Sequence, residues 1–122
     1  MYLFDNIIYT FDYFDRPILF VCGDSSSMKL VSLIEDNYDY EKWLVSPLSS
    51  FNYEALCNSH IDFFTCFKEK INELEVVKNR NGQITSEKNA ILSINELENI
   101  CPKKGLYANQ LKPISISCHN HL

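Results

Sequence analysis

Three residues near the end of the sequence have the chemistry of metal ligands. Cys118, His119 and His121 form a C-H-x-H pattern, and thiolate and neutral imidazole both bind zinc well. A structural zinc site needs four ligands at defined separations, whereas the other cysteines and His60 are scattered along the chain. We therefore interpret residues 109–122 as a flexible C-terminal tail, and we expect no metal and no other cofactor.

A cysteine and a histidine that lie close together can form a nucleophilic pair. Cys57 and His60 are three positions apart, but they straddle a predicted helix junction at which Cys57 should point inward. The sequence also lacks the G-x-S-x-G, H-E-x-x-H and Walker patterns. The sequence therefore predicts a protein that is not an enzyme, with an enzyme of unrecognised type kept as an alternative.

An acidic turn rich in tyrosine is the third group of chemical interest. Its carboxylates are of the type that performs acid–base chemistry or holds Mg²⁺, but a metal site needs ligands that converge from separate elements. A solvated turn is the simplest interpretation. Because tyrosine is frequent at binding hot spots, the turn is also our candidate for a partner-binding surface. Its residues are Glu35, Asp36, Tyr38, Asp39 and Tyr40.

Residues 16–48 are expected to form the centre of a sheet. Their apolar runs are short and separated by turn residues, and a run that is apolar on both faces indicates a central strand. Trp43 is predicted to pack in the core, and Tyr40 to lie on the opposite side of its strand. Pro47 is expected to end that strand, because proline cannot donate to a ladder. The predicted strands are 6–15, 18–22, 28–34 and 40–46.

The periodicity becomes helical after residue 48. Ser49 or Ser50 can cap a short helix over residues 51–57, and Asn58 can close it in a left-handed conformation. A second helix is predicted from the S-x-x-D pattern that begins at Ser59, which resembles a capping box. Two short helices are therefore expected to pack against the sheet.

A hairpin is expected after the helices. Asn81-Gly82 is a strong hairpin signal between predicted strands at 74–78 and 83–88. Runs of strands followed by helices indicate an α+β fold with an antiparallel sheet. We predict a four-stranded meander plus a C-terminal hairpin, in a single domain of residues 1–108.

The composition narrows the class of protein. The chain has 122 residues, 46% of them hydrophobic, and a net charge of −5, which predicts one folded domain and a surface poorly suited to nucleic acid. Apolar runs of membrane-spanning length are lacking, so no membrane association is expected, and the N-terminus lacks the features of a signal peptide. Five irregularly spaced cysteines favour reduced thiols and a cytoplasmic protein.

Four short sequence segments follow one another in an order that can be compared with known families. They are Y-F-D-R-P-I-L-F-V-C at 13–22, W-L-V-S-P-L-S at 43–49, I-D-F-F-T-C-F at 61–67 and P-K-K-G-L at 102–106. Over residues 5–108 this succession resembles DUF6575, a small bacterial domain of unknown function. The resemblance implies a compact α+β domain in a bacterial or phage context, with a role in phage defence as a contextual hypothesis. It implies no catalytic residues.

The sequence leaves three functional hypotheses. The first is a non-enzymatic protein-interaction module, an accessory or inhibitor acting through the acidic turn or an exposed strand edge; uncovered edges also make a homodimer plausible. The second is a small-ligand-sensing domain with an apolar pocket between helices and sheet. The third is the enzyme of unrecognised type.

Overall fold

Six strands pair in the order in which they occur along the chain. The computed structural model describes residues 4–88, 91 and 93–111. All neighbouring strands are antiparallel, so the sheet is one continuous meander. The strands are β1 (Ile7–Tyr13), β2 (Pro17–Asp24), β3 (Ser27–Asp36), β4 (Glu41–Leu48), β5 (Glu75–Arg80) and β6 (Gln83–Lys88).

Two helices lie between β4 and β5, and a third follows β6. They are α1 (Ser50–Cys57), α2 (Phe63–Glu69) and α3 (Ile94–Ile100), with 3-10 turns at Ile71–Glu73 and Ala108–Gln110. The predicted α+β class is therefore confirmed, with α3 in addition to the two expected helices. Within the described ranges, no helix has the length and apolar character needed to span a membrane.

The last residues of β4 correct one prediction. Pro47 lies inside β4, opposite Lys29 of β3, and the strand continues to Leu48. Pairing with β5 ends at Val45, so the other side of the strand is open at Pro47. Proline is tolerated there because no neighbour requires its missing N–H. The expectation that Pro47 ends the strand was wrong.

Two hairpin turns depend on residues with positive φ. Asn81 and Gly82 have φ of 52° and 87°, the left-handed pair that a two-residue hairpin turn requires. Gly23, near the β2–β3 turn, has φ of 106°, and a Cβ at this position would lie 2.1 Å from the Ser27 carbonyl oxygen. The predicted N-G hairpin is confirmed, and Gly23 cannot be replaced without moving the turn.

The end of α1 corrects two further predictions. Ser59, with φ of 58°, and not Asn58, takes the left-handed position. The amides of Ser59 and His60 donate to the carbonyls of Leu56 and Ala55 at 3.1 and 2.8 Å, which is the Schellman arrangement. Because Ser59 closes α1, it cannot also cap α2, and the predicted capping box was wrong.

Asp62 caps α2 instead and joins it to a distant loop. Its carboxylate accepts from the backbone N–H of Thr65 at 3.2 Å and from that of Gly105 at 2.7 Å. The side chain is buried, and burial alone would raise its pKa. The hydrogen bonds from Thr65 and Gly105 outweigh burial and lower the pKa of Asp62 below its usual value. One carboxylate therefore holds two segments together.

Both faces of the sheet are apolar. The helices cover one face, where a large buried cluster includes Leu30, Leu44, Leu56, Phe63, Phe67 and Leu97. A second cluster lies on the face without helices. Its buried members are Phe20, Cys22, Val31, Trp43, Val45 and Val77, with Phe4 and Leu33 packed against them. Trp43 is 4% exposed, so its predicted burial in the core is confirmed.

The C-terminal tail was predicted to begin at residue 109. Ala108 and Leu111 still pack against the helix-side cluster, and the N–H of Asn109 donates to the Ser59 hydroxyl at 2.9 Å. Residues 109–111 are thus attached to the rest of the fold. Cys118, His119 and His121, which sequence reasoning weighed as metal ligands and assigned to the tail, lie outside the described residues.

Replacing Asp62 with alanine is expected to lower the free energy of unfolding by about 2 kcal/mol. This estimate is the sum of a lost N-cap, about 1 kcal/mol, and a lost charge-assisted hydrogen bond. Denaturation by urea measures it. Asp39→Ala is the control, because Asp39 is exposed; an equal loss in both variants would contradict the assignment.

The stabilisation from Asp62 is also expected to depend on pH. Because its folded-state pKa lies below the ordinary value of 3.8, the contribution is complete at pH values above 3.8 and is lost as pH falls through the folded-state pKa. The difference in stability between wild type and Asp62→Ala should therefore shrink in acid. A difference that stays constant from pH 7 to about pH 2 would show that ionisation plays no part.

Candidate partner-binding surface

Three turns lie at the same end of the sheet. Because the strands form an antiparallel meander, the turns β1–β2, β3–β4 and β5–β6 share one end, and β2–β3 lies at the other. We name residues 13–16, 36–41 and 79–82 the three-loop end. It contains four of the five predicted surface residues, and the fifth, Glu35, adjoins it.

Arg16 connects two of these turns. Its Nη2 lies 3.0 Å from Asp36 Oδ2, and its Nη1 contacts Glu41 Oε2. The guanidinium also lies over the Trp43 ring, 5.4 Å from its centroid. Sequence reasoning gave the Arg16 side chain no role, because its partners lie 20 and 25 positions away.

Glu41 extends the connection to the third turn. Besides Arg16, it accepts from Trp43 Nε1 at 3.2 Å and from Asn79 Nδ2 at 3.3 Å. Partial burial opposes the charged form, but the hydrogen bonds from Trp43, Arg16 and Asn79 prevail and lower the pKa of Glu41. Glu41 therefore stays ionised at neutral pH and holds the β4–β5 side of the three-loop end in place.

Tyr40 and Glu35 are also held by contacts within the chain. Tyr40 Oη donates to Glu35 Oε2 at 2.7 Å, and this hydrogen bond, aided by Lys42, lowers the pKa of Glu35. The Tyr40 ring faces three cations: the Nζ of Lys78 is 4.2 Å from the centroid, with Lys42 and Arg80 further out. These contacts fix the orientation of the ring.

Tyr38 and Asp39 project outward from the β3–β4 turn. Tyr38 is 101% exposed, and Asp39 is exposed as well. The turn beneath them is ordered, because the Asn37 side-chain oxygen accepts from the N–H groups of Asp39 and Tyr40 at 2.9 and 3.1 Å. The five predicted surface residues therefore divide into two that are available to a partner and three that brace the turn: Glu35, Asp36 and Tyr40.

A second exposed aromatic residue belongs to the same end. Phe14 is 74% exposed and lies in the β1–β2 turn, next to Asp15 with φ of 60°. Sequence reasoning assigned Phe14 to a strand face and missed it. The available signal was its position directly before Asp15-Arg16-Pro17, where proline interrupts strand pairing. An apolar side chain at such a turn has no sheet face to cover.

The predicted inward position of Cys57 was wrong. Cys57 is exposed, because it occupies the last position of α1. Partial desolvation nevertheless raises the pKa of its thiol, and the thiol contacts Tyr53, whose own pKa is raised to about 12. A nucleophilic cysteine needs a lowered pKa, so the environment of Cys57 does not favour thiolate chemistry.

Metal ligands do not converge in the described part of the chain. Among residues 4–88, 91 and 93–111, no group of three or more His, Cys, Asp or Glu side chains could hold an ion. Within the acidic turn, Asp36 pairs with Arg16 and Glu35 pairs with Lys42. The turn is therefore an ion-paired network.

The fold and this network define a small α+β domain with an ordered, aromatic loop surface. The chain matches no protein-family model, no curated protein and no solved structure. The resemblance to DUF6575 therefore stays a prediction that rests on the four segments named above.

Replacing Arg16 with glutamine is expected to loosen the three-loop end and to lower the free energy of unfolding by about 1–2 kcal/mol. The side chain makes two ionic contacts, one of them to the partly buried Glu41, and such bonds stabilise more than fully exposed pairs. Amide exchange at residues 37–41 should quicken at the same time. Urea denaturation and hydrogen exchange measure the two effects.

Lys104→Gln is the matched control, because it removes an ion pair with Glu98 in which both side chains are well exposed. That variant should lose less than about 0.5 kcal/mol. Equal losses in the two variants, with no change in exchange at 37–41, would contradict the bracing role of Arg16.

Proposed function

We propose that this chain is a non-enzymatic protein-interaction module that binds a protein partner through its three-loop end. The observation that carries the proposal is the exposure of Phe14 and Tyr38, 74% and 101%, on two turns that Arg16 ties to one another. Large exposed aromatic side chains on an ordered scaffold are typical of binding hot spots.

The bracing of the loops supports binding energetically. Association costs free energy whenever loops must be ordered at the interface. Here Arg16, Glu41 and Tyr40 already hold the turns through internal contacts, so this cost has largely been met in the free protein. Phe14 and Tyr38 are then presented as anchors whose remaining freedom is confined to their side chains.

The charges around the two anchors indicate the chemistry of the partner. Asp15 and Asp39 are exposed and Asp12 is half-buried near Phe14 and Tyr38, while Lys78 and Arg80 lie against Tyr40. An acidic rim around aromatic anchors fits a protein that offers an apolar pocket bordered by lysine or arginine, and opposite charge speeds the encounter. Nucleic acid and membranes are not part of this proposal.

A cytoplasmic setting belongs to the same proposal. The described cysteines, Cys22, Cys57, Cys66 and Cys101, are all free thiols, which is usual in a reducing compartment. An accessory or inhibitor role in a conflict between bacteria and phages is supported only by the resemblance to DUF6575.

The exposed edge of β6 supports a second mode of interaction, a homodimer. All six residues of β6 are exposed, and among the residues that the structure describes β6 pairs only with β5. An uncovered edge strand can pair with another chain. Sedimentation at tens of micromolar tests this, and a monomer throughout would contradict the homodimer.

The double substitution Phe14→Ala with Tyr38→Ala is expected to abolish partner capture without unfolding the protein. Both side chains are exposed, so their loss should change stability by less than about 0.5 kcal/mol. The loss of both anchor side chains should raise the dissociation constant at least about 30-fold. Partners are first captured from the native host with the wild type, and the dissociation constant is then measured by calorimetry with the purified partner.

Phe51→Ala is the matched control, because Phe51 is 80% exposed but lies on α1, away from the three turns. Partner capture that survives in the double variant, or that Phe51→Ala abolishes equally, would refute the three-loop end as the binding surface.

A further inference from the structure

The sheet face without helices has an open cavity, which extends from the β2–β3 turn toward Ile84 of β6. The cavity has a volume of about 490 Å³, within the range of small-molecule sites. Its lining draws on β2, β3, β4, β5 and β6 and on the segment before β1.

The shared lining means that the sheet is strongly curled. Cys22 and Gly23 of β2 and Ile84 and Ser86 of β6 border the same cavity, yet β2 and β6 are four strand spacings apart in the sheet order. In a flat sheet these strands would be about 19 Å apart. The sheet is therefore curved, and the cavity lies on its concave face, where a small molecule can contact several strands at once.

The cavity has an apolar part beside polar lining residues such as Ser27 and Ser86. Cys22, Val45 and Val77 belong to the second buried cluster, and Phe4 packs against it. Ile84 adds a wall from the edge strand and is 41% exposed. An apolar side chain that faces a cavity while still accessible to water gains from the arrival of an apolar ligand.

The charged groups around the cavity have an acidic excess. Three carboxylates, Asp5, Asp24 and Glu75, border it against one ammonium group, Lys29. Hydrogen bonds from Ser26 lower the pKa of Asp24, so this group stays ionised. A neighbouring cavity of about 350 Å³ shares Lys29 and Glu75 and adds one acid and one base, Glu73 and Lys88, so the balance stays acidic.

We propose that this cavity binds a small amphipathic amine, an alkyl- or arylammonium ion with an apolar body. The body lies against Val45, Val77 and Ile84, and the ammonium group lies among the carboxylates at the mouth. The charge excess excludes an amphipathic carboxylate of the same shape as the preferred ligand. This site is independent of the protein-binding surface at the three-loop end.

The test titrates the full chain with n-octylammonium chloride and, separately, with sodium octanoate, which has the same apolar length and the opposite charge. Trp43 reports binding, because it is the only tryptophan and lies on the same sheet face. Its ring centroid is 5.4 Å from that of Phe4, which lines the cavity. We expect a saturable change in Trp43 fluorescence and a rise in melting temperature with octylammonium, and at least tenfold weaker binding of octanoate.

The combined substitution Asp5→Asn with Glu75→Gln should weaken octylammonium binding about tenfold. Glu75→Gln alone is the second variant, since glutamine keeps an acceptor for the Ser86 hydroxyl. Glu87→Gln is the matched control: Glu87 alternates with Ser86 along β6, so it lies on the other face and its loss should leave the affinity unchanged.

The proposal is overturned if octylammonium gives no saturable signal up to about 5 mM, or if octanoate binds as tightly. It is also overturned if the carboxylate variants, folded by their melting temperature, bind octylammonium as tightly as Glu87→Gln does.

Discussion

The fold depends on the need to cover strands that are apolar on both faces. β2, β3 and β4 bury side chains on each side, such as Val21 and Leu30 under the helices and Phe20 and Val31 on the opposite face. Helices supply only one cover. On the other face, Phe4 and Leu33 pack against the buried cluster, and the curvature of the sheet brings residues of β2 and β6 to one cavity. The cavity is an open part of this face.

The same meander also determines where loops meet. With strands in chain order, every second turn lies at one end, and residues far apart in sequence become neighbours there. Arg16 and Glu41 use this proximity to link three turns through ionic contacts and hydrogen bonds. The exposed aromatics Phe14 and Tyr38 are therefore displayed on a fixed base, which distinguishes them from ordinary mobile loop residues.

Local signals in the sequence were sufficient for much of the fold. The apolar runs, the Asn81-Gly82 turn and the burial of Trp43 follow from short-range patterns, and the structure confirms them. The failures required knowledge of distant contacts. Pro47 is accommodated because the pairing of β4 with β5 stops at Val45. Ser59 does not cap α2 because it closes α1, and Asp62 caps α2 while also accepting from Gly105.

The candidate site followed the same division. The acidic turn was found from its composition. Which of its side chains are available to a partner depends on contacts with Arg16, Lys42 and Lys78, and no sequence motif indicates these contacts. Phe14 was missed because alternation alone assigned it to a strand. A side chain at a strand end is buried or exposed according to what packs there, and a single sequence does not specify that.

The Asp62–Gly105 hydrogen bond has a consequence for folding kinetics. Each hairpin of the meander pairs residues close in sequence, so most of the sheet forms without closing long loops. The bond from Gly105 to Asp62, by contrast, spans 43 residues and closes only when the segment after α3 returns to α2. We therefore expect this contact to form late in folding, so that its loss would mainly speed unfolding and would change the folding rate little.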